Sequence, residues 1–250
     1  MMRKNDSIKA NDSIKACGRT IAYEIIYSKR RKSAAIVVRP DLKVEFRAPP
    51  GLDPETIRTM VRKKADWVLK KLDGFEGKRN LNPEKRYFEG EKFLYRGKEY
   101  PLKLTFGGRV LSAGLEGPVL EVVIPEKVPE PLGPAPVKEA VWQWYLGRAY
   151  EKVGELVEVY SDKMGISPPS YRVKYQKRRW GSCSADNVLR INFQLMMAPP
   201  EQLEYVVVHE LCHVKEKNHS NNFWALVEEL MPDYRTHREG LKKDGWKYAL

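Results

Sequence analysis

Residues 205–224 read YVVVHELCHVKEKNHSNNFW. The chain has four histidines, and three of them, His209, His213 and His219, lie in this stretch. Placed on a helix at about 100° per residue, Leu203, Val206, Val207, Leu211 and Val214 share one face. Tyr205, Val208 and Cys212 cover much of the opposite side, so the helix over 201–216 is apolar nearly all round and is expected to be buried. His209, Glu210 and His213 are its polar exceptions, costly to bury unless paired or bound to a metal. His209 and His213 stand one turn apart on one side, where both imidazoles reach one Zn²⁺. Glu210 points away from them, placed to meet a metal-bound water without being a ligand. A continued helix would carry His219 to the wrong face, so the spacing predicts a break, with Asn218 in the left-handed conformation that ends helices. Three histidines leave one coordination position open, the catalytic pattern rather than that of a structural zinc. Cys212 points about 100° away from its neighbour His213 and is rejected as a fourth ligand.

Working outward, Ala198-Pro199-Pro200-Glu201 starts this helix. Residues 220–247 read as helical with a break at Met231-Pro232-Asp233, where Asp233 is the expected N-cap. Upstream, strands are expected near 171–176 and 188–195, joined by KRRWGSCSADN, and 188–195 is a candidate edge for pairing with an extended substrate. Residues 137–164 read as one long helix closed by Gly165. The stretch 125–136, PEKVPEPLGPAP, holds five prolines and separates this half from two hairpins, 91–95 with 99–106 and 109–112 with 119–124. Residues 73–86 read as a linker. Before it, strands are expected at 20–27, 34–38 and 42–47. A helix with Asp53 as N-cap and Pro54 at its first position then carries Ile57, Val61, Ala65, Val68 and Leu72 as its apolar stripe. The hexamer NDSIKA stands twice, at 5–10 and 11–16. Two copies are too few for a solenoid and point to a local duplication at a poorly ordered end.

With 250 residues, 42% hydrophobic and 31% charged, the chain suits one large or two small globular domains. No segment approaches the roughly 20 apolar residues of a membrane-spanning helix, and the polar first residues lack the apolar run of a secretory signal. Three irregularly spaced cysteines (Cys17, Cys183, Cys212) argue against a disulfide scaffold and for a reducing cytoplasm. The net charge of +12 is concentrated in residues 1–80, which carry 20 basic and 10 acidic side chains. Such a field attracts polyanions, nucleic acid among them, although a solvated cationic face needs no partner.

Other residues are candidate contacts for an oxyanion or substrate. Arg178, Arg179 and Ser182 belong to RRWGSC, where two guanidiniums and a tight glycine turn suit an anion, although Trp180 packed beneath a plain turn explains the same residues. Tyr234, His237 and Arg238 come after the Met-Pro-Asp break and are the second group. Met196, Met197 and Met231 are expected to fill the core. Cys183 lacks a free histidine as base and is expected to be a packed thiol.

RRWGSCS (178–184), LRINFQLMMAPP (189–200), the opening stretch 205–224 and MPDY (231–234) closely resemble the YgjP-like metallopeptidases. SKRRKSAAIVVRPDLKVEFRAP (28–49) looks like the same family's N-terminal region. The resemblance implies a zincin domain with His209, His213 and His219 on zinc and Glu210 as the catalytic carboxylate. It suggests kinship with SprT-like proteases, which act on DNA-associated proteins. A family member has also been described as a UTP pyrophosphatase, which stands as an alternative beside a nucleic-acid-associated zinc protein. The ten-residue spacing from His209 to His219 is that of the metzincins, but their turn glycine is replaced by Glu216.

The expected fold is α+β. A zincin-like domain over 136–250, with an active-site helix and a backing helix, succeeds a basic α/β module plus β-hairpins over 1–135. The expected chemistry is zinc-assisted hydrolysis of a polypeptide by a Glu-activated water.

Overall fold

The computed structural model of the protein describes residues 9–39, 41–81, 83–126 and 133–250, and among them six α-helices and three β-sheets. The chain divides into two compact units, 1–83 and 84–250.

In the first unit, β1 (Lys9–Ala16), β2 (Arg19–Tyr27), β3 (Ala35–Val38) and β4 (Val44–Ala48) form a sheet in the order β1-β2-β4-β3. Helices α1 (Pro54–Lys63) and α2 (Ala65–Leu81) come next. Asp53 caps α1 by accepting from the Thr56 amide, and Pro54 opens it, as the sequence predicts. Ile21, Ile25, Val44 and Phe46 from the strands meet Ile57, Val61 and Val68 from the helices in one core.

Three expectations change here. The second NDSIKA copy lies in β1, paired antiparallel with β2 from Ala16↔Arg19 outward; residues 5–8 of the first copy lie outside the described residues. Its turn is Cys17-Gly18 with both φ positive, the hairpin geometry that matches strand twist. Ile14 is its one buried apolar side chain, so the strand carries almost no hydrophobic alternation. The single helix expected over 54–72 is two helices parted at Lys64. The second runs through Gly74 and Gly77 to Leu81, into the expected linker, because Phe75 extends the stripe of Val68 and Leu72.

In the second unit, β5 (Lys92–Tyr95), β6 (Lys98–Gly108), β7 (Ser112–Glu116) and β8 (Val119–Pro125) form two antiparallel hairpins, joined into one sheet by parallel pairing of β6 with β8. This sheet belongs with the C-terminal helices, not with the N-terminal module, so the boundary expected at 135/136 lies at 83/84. A small sheet needs something to bury its apolar face. Phe93, Leu102, Leu120, Val122 and Ile124 share one core with helix α3 (Pro134–Lys163), and the Tyr145 hydroxyl donates to the Leu94 carbonyl at 2.5 Å.

Helix α3 presents Val137, Val141, Tyr145, Ala149, Val153 and Tyr160 to that core. Each large side chain fully buried contributes about 1.5–3 kcal/mol. Gly165, with φ of 62°, closes the helix as expected, its amide bonding Asp162 O and that of Ile166 bonding Ser161 O. Beyond it lies a second sheet of β9 (Tyr171–Lys174), β10 (Gly181–Cys183) and β11 (Leu189–Asn192), in the order β10-β11-β9. The segment expected as strand 188–195 is thus the central strand and ends early. Asn192 caps a 3₁₀ turn over Phe193–Met197 by accepting from the Gln194 amide. With neighbours on both sides β11 offers no edge to a substrate; the edge strands beside it are β10 and β9.

Helices α4 (Pro200–Lys215), α5 (Asn221–Leu230) and α6 (Tyr234–Asp244) complete the unit, and α4 packs against α3, β10, α5 and α6. Met196, Met197 and Met231 are buried in the core. No helix among the described residues is long and apolar enough to cross a membrane.

Candidate active site

Helix α4 is buried along most of its length, as its sequence requires. Leu203, Val206, Val207, Leu211 and Cys212 are at most 5% exposed. His209 and His213 emerge one turn apart with ring centroids 5.0 Å apart. After Lys215 the chain leaves the helix at Glu216, whose φ of −120° is extended backbone. The break therefore comes two residues before the expected Asn218, and without a left-handed residue. Extended backbone is open to any amino acid, which is why no glycine is needed at Glu216.

The turn brings His219 back. Its ring lies 5.0 Å from that of His209 and 4.7 Å from that of His213. One nitrogen from each of the three imidazoles lies within 4.8 Å of the others. Helix α5 supports them. Ser220 caps it, Phe223 stacks on His213 at 4.5 Å, and Trp224 stacks on His219 at 5.6 Å.

The hydrogen bonds suit a cation. The Glu216 carbonyl can only accept, so the His213 Nδ1–H donates to it at 2.9 Å and Nε2 keeps its lone pair. His209 Nε2 and His219 Nε2 face each other at 3.0 Å, while His209 Nδ1 is buried without a partner among the described residues. Burial, then the charges of His213, His219 and Arg238, pushes His209 down to about 3. His219 is lowered by burial, then by His213 and Arg238. Two ring nitrogens at 3.0 Å are joined either by the N–H of one ring donating to the lone pair of the other or by a cation that both coordinate. Three imidazoles converging within 4.8 Å are a donor set that fits Zn²⁺.

Glu210 is 6% exposed. Gly181, which opens β10, makes room for it: a Cβ there would stand 2.6 Å from Glu210 Oε1. The carboxylate accepts from the Cys183 backbone amide and feels Arg179, but burial outweighs both and raises the group to about 7. The glycine thus serves close approach within a strand, rather than the tight anion-binding turn expected from RRWGSC.

Two cavities meet at this carboxylate. A cavity of ≈ 610 Å³ is lined by Arg179, Ser182, Cys183, Lys217, Glu210 and the three histidines, and one of ≈ 260 Å³ by Trp180, Tyr205, Arg238, Leu241, Lys242, His209 and Glu210. Of the six candidate contacts, Arg179, Ser182 and Arg238 line these cavities. Arg178 is exposed and lines neither. Tyr234 is buried in an aromatic stack between Tyr205 and Trp224. His237 bonds Asp233 Oδ2 at 2.9 Å. That carboxylate makes no capping bond to α6, contrary to expectation. Cys183 and Cys212 are free thiols raised by burial, Cys212 to about 12. Sequence reasoning missed Tyr205, Lys217 and Lys242 as wall residues, since each reads as ordinary helix or loop.

Three imidazoles beside a buried carboxylate make chemistry suited to a metal-dependent hydrolase. The YgjP-like metallopeptidase domain matches residues 32–244, and the chain belongs to that family. The family implies a divalent metal and peptide-bond hydrolysis. The crystal structure of the metallopeptidase zymogen of Pyrococcus abyssi abylysin is 24% identical, covering 36% of this chain and 93% of that one, with a TM-score of 0.34. No curated protein matches the chain.

Proposed function

We propose that the chain is a zinc-dependent metallopeptidase of zincin arrangement, with His209, His213 and His219 as ligands and Glu210 as general base and acid. The observation that carries this reading is the convergence of three imidazoles beside a carboxylate buried but reachable from two cavities. When bound, zinc supplies Lewis acidity and lowers the pKa of a water it holds to about 7. Glu210, already raised by burial, is suited to accept a proton near neutral pH and to return it to the leaving amine. The Cys183 amide fixes the carboxylate, and Gly181 gives it room. Arg179, Ser182 and Arg238 are the candidates for stabilising the oxyanion or holding substrate, from the cavity walls. Arg178, Tyr234 and His237 stand outside those walls and support them at most indirectly.

The free thiols fit a cytoplasmic setting. A polyanion partner for the first unit, nucleic acid included, is supported by exposed Lys29, Arg30 and Lys32, which have no acidic partner among the described residues. The test of the peptidase reading is mass spectrometry of a denatured-protein library incubated with zinc-loaded and with metal-stripped chain. Cuts that need zinc are expected; their absence from verified zinc-bound protein overturns the reading.

A further inference from the structure

The two cavities that meet at Glu210 have walls of one sign. Arg179 and Lys217 stand on the larger, Arg238 and Lys242 on the smaller, and Glu210 is the one carboxylate on either among the described residues. Two of these cations are already engaged, Lys217 with Asn187 and Lys242 with Glu239. Arg179 and Arg238 make no salt bridge among the described residues, although the charge of Arg179 reaches Glu210 and that of Arg238 reaches Glu239.

Arg238 is the more telling. It is half-buried and its guanidinium lies 4.6 Å over the Trp224 ring, so its direction is fixed by packing rather than by a counter-ion. A planar cation held this way is pre-set to receive a carboxylate through two parallel hydrogen bonds. The Tyr205 hydroxyl, on the same cavity wall, also has no hydrogen-bond partner among the described residues. Trp180 and Leu241 supply apolar wall. The volume of ≈ 260 Å³ suits one side chain and falls below the usual range of about 300–1,000 Å³ for whole small-molecule ligands. Methylene stem against apolar wall and carboxylate against Arg238 is the description of a glutamate or aspartate side chain.

We infer that the smaller cavity is an acid-selective subsite, in which Arg238 and the Tyr205 hydroxyl bind the Asp or Glu side chain next to the bond being cut. The inference rests on the peptidase reading. Arg179, across Glu210, extends the same preference to the other side of that bond, so the substrate class is acidic polypeptide.

The experiment uses zinc-loaded chain and matched peptides carrying Glu, Gln or Lys beside the cut site, at low and high salt. The Glu peptide is expected to exceed Gln about tenfold in kcat/KM, mostly through KM, with the advantage shrinking as salt screens it. Arg238→Gln should abolish that ratio and Arg238→Glu should turn it toward Lys. Anisotropy of labelled peptides on zinc-loaded Glu210→Gln reads the same preference as binding alone. Lys242→Glu, at the exposed rim, serves if Arg238 variants fail to fold, and should cut the ratio a few-fold.

Equal rates for Glu and Gln peptides would overturn the inference and leave the peptidase reading standing. An Arg238→Gln enzyme slowed in kcat on both peptides alike would make Arg238 an oxyanion donor and overturn it too. Hydrolysis of UTP with no peptide cut under any condition would overturn both.

Discussion

Two buried glutamates, one in each unit, meet opposite treatment. Glu45 on β4 is 7% exposed and lies between Arg39 and Arg47, which hold its carboxyl below the usual range despite burial. Glu210 on α4 is 6% exposed, has one backbone amide and the charge of Arg179 against burial, and is raised to about 7. The same residue type at the same depth is neutralised by salt bridges in one place and left under-compensated in the other. The first pattern stabilises; the second suits the proton exchange near neutral pH that the proposed role of Glu210 requires. Arginine repeats the contrast. Arg19, Arg39, Arg47 and Arg58 of the first unit all form salt bridges with carboxylates, whereas Arg179 and Arg238 form none among the described residues.

Removing a proposed ligand should give the largest effect. His219→Ala is expected to weaken zinc binding more than the 10–100-fold typical of losing a mere supporting hydrogen bond. Chelator competition measures it, and wild-type affinity would remove His219 from the metal. Gly181→Ala comes next. Its Cβ would stand 2.6 Å from Oε1, so Glu210 must move, and displacement of about 1 Å costs roughly 100-fold in turnover. Circular dichroism should be unchanged, and so should zinc content. Full activity would mean that the carboxylate's position is not what matters.

Helix α4 and the N-cap of α1 are legible in the sequence because their signals are local: an apolar helix with three polar exceptions, and Asp-Pro before a stripe. The walls of the site are not. Tyr205 and Lys242 come from different helices, Lys217 from the loop after α4, and only tertiary packing unites them. Strand β10 hides in RRWGSC because it is three residues long with no buried side chain, held by pairing with β11 and contact with α4. Helix α2 outruns its expected end because Gly74 costs only about 1 kcal/mol in a helix, and the apolar stripe continues past it. The boundary at 83/84 is hidden because a proline-rich run looks like a domain linker even when the strands before it and the helix after it share a core.

Smaller effects sharpen the contrast on the stability side. Glu45→Ala should destabilise the chain by about 2–3 kcal/mol, less than a fully buried pair loses, since both guanidiniums reach solvent. Denaturant unfolding measures it, and a neutral result would mean the two arginines are satisfied without it. The pH response has a definite sign. The folded pKa of Glu45 lies below the unfolded value of about 4.3. Its contribution is therefore complete above that value and fades as pH falls through the folded pKa. In wild type the pH dependence of unfolding should show this loss only on the acid side, and Glu45→Gln should flatten it.

Glu210→Gln tests the central claim most directly, measured for zinc content and for turnover on the same preparation. The expected result is wild-type zinc with turnover lower by about 10²–10⁴-fold, the usual contribution of a positioned acid–base group. Full turnover with intact zinc would contradict the assignment of Glu210 and, with it, the account of why this carboxylate is left under-compensated.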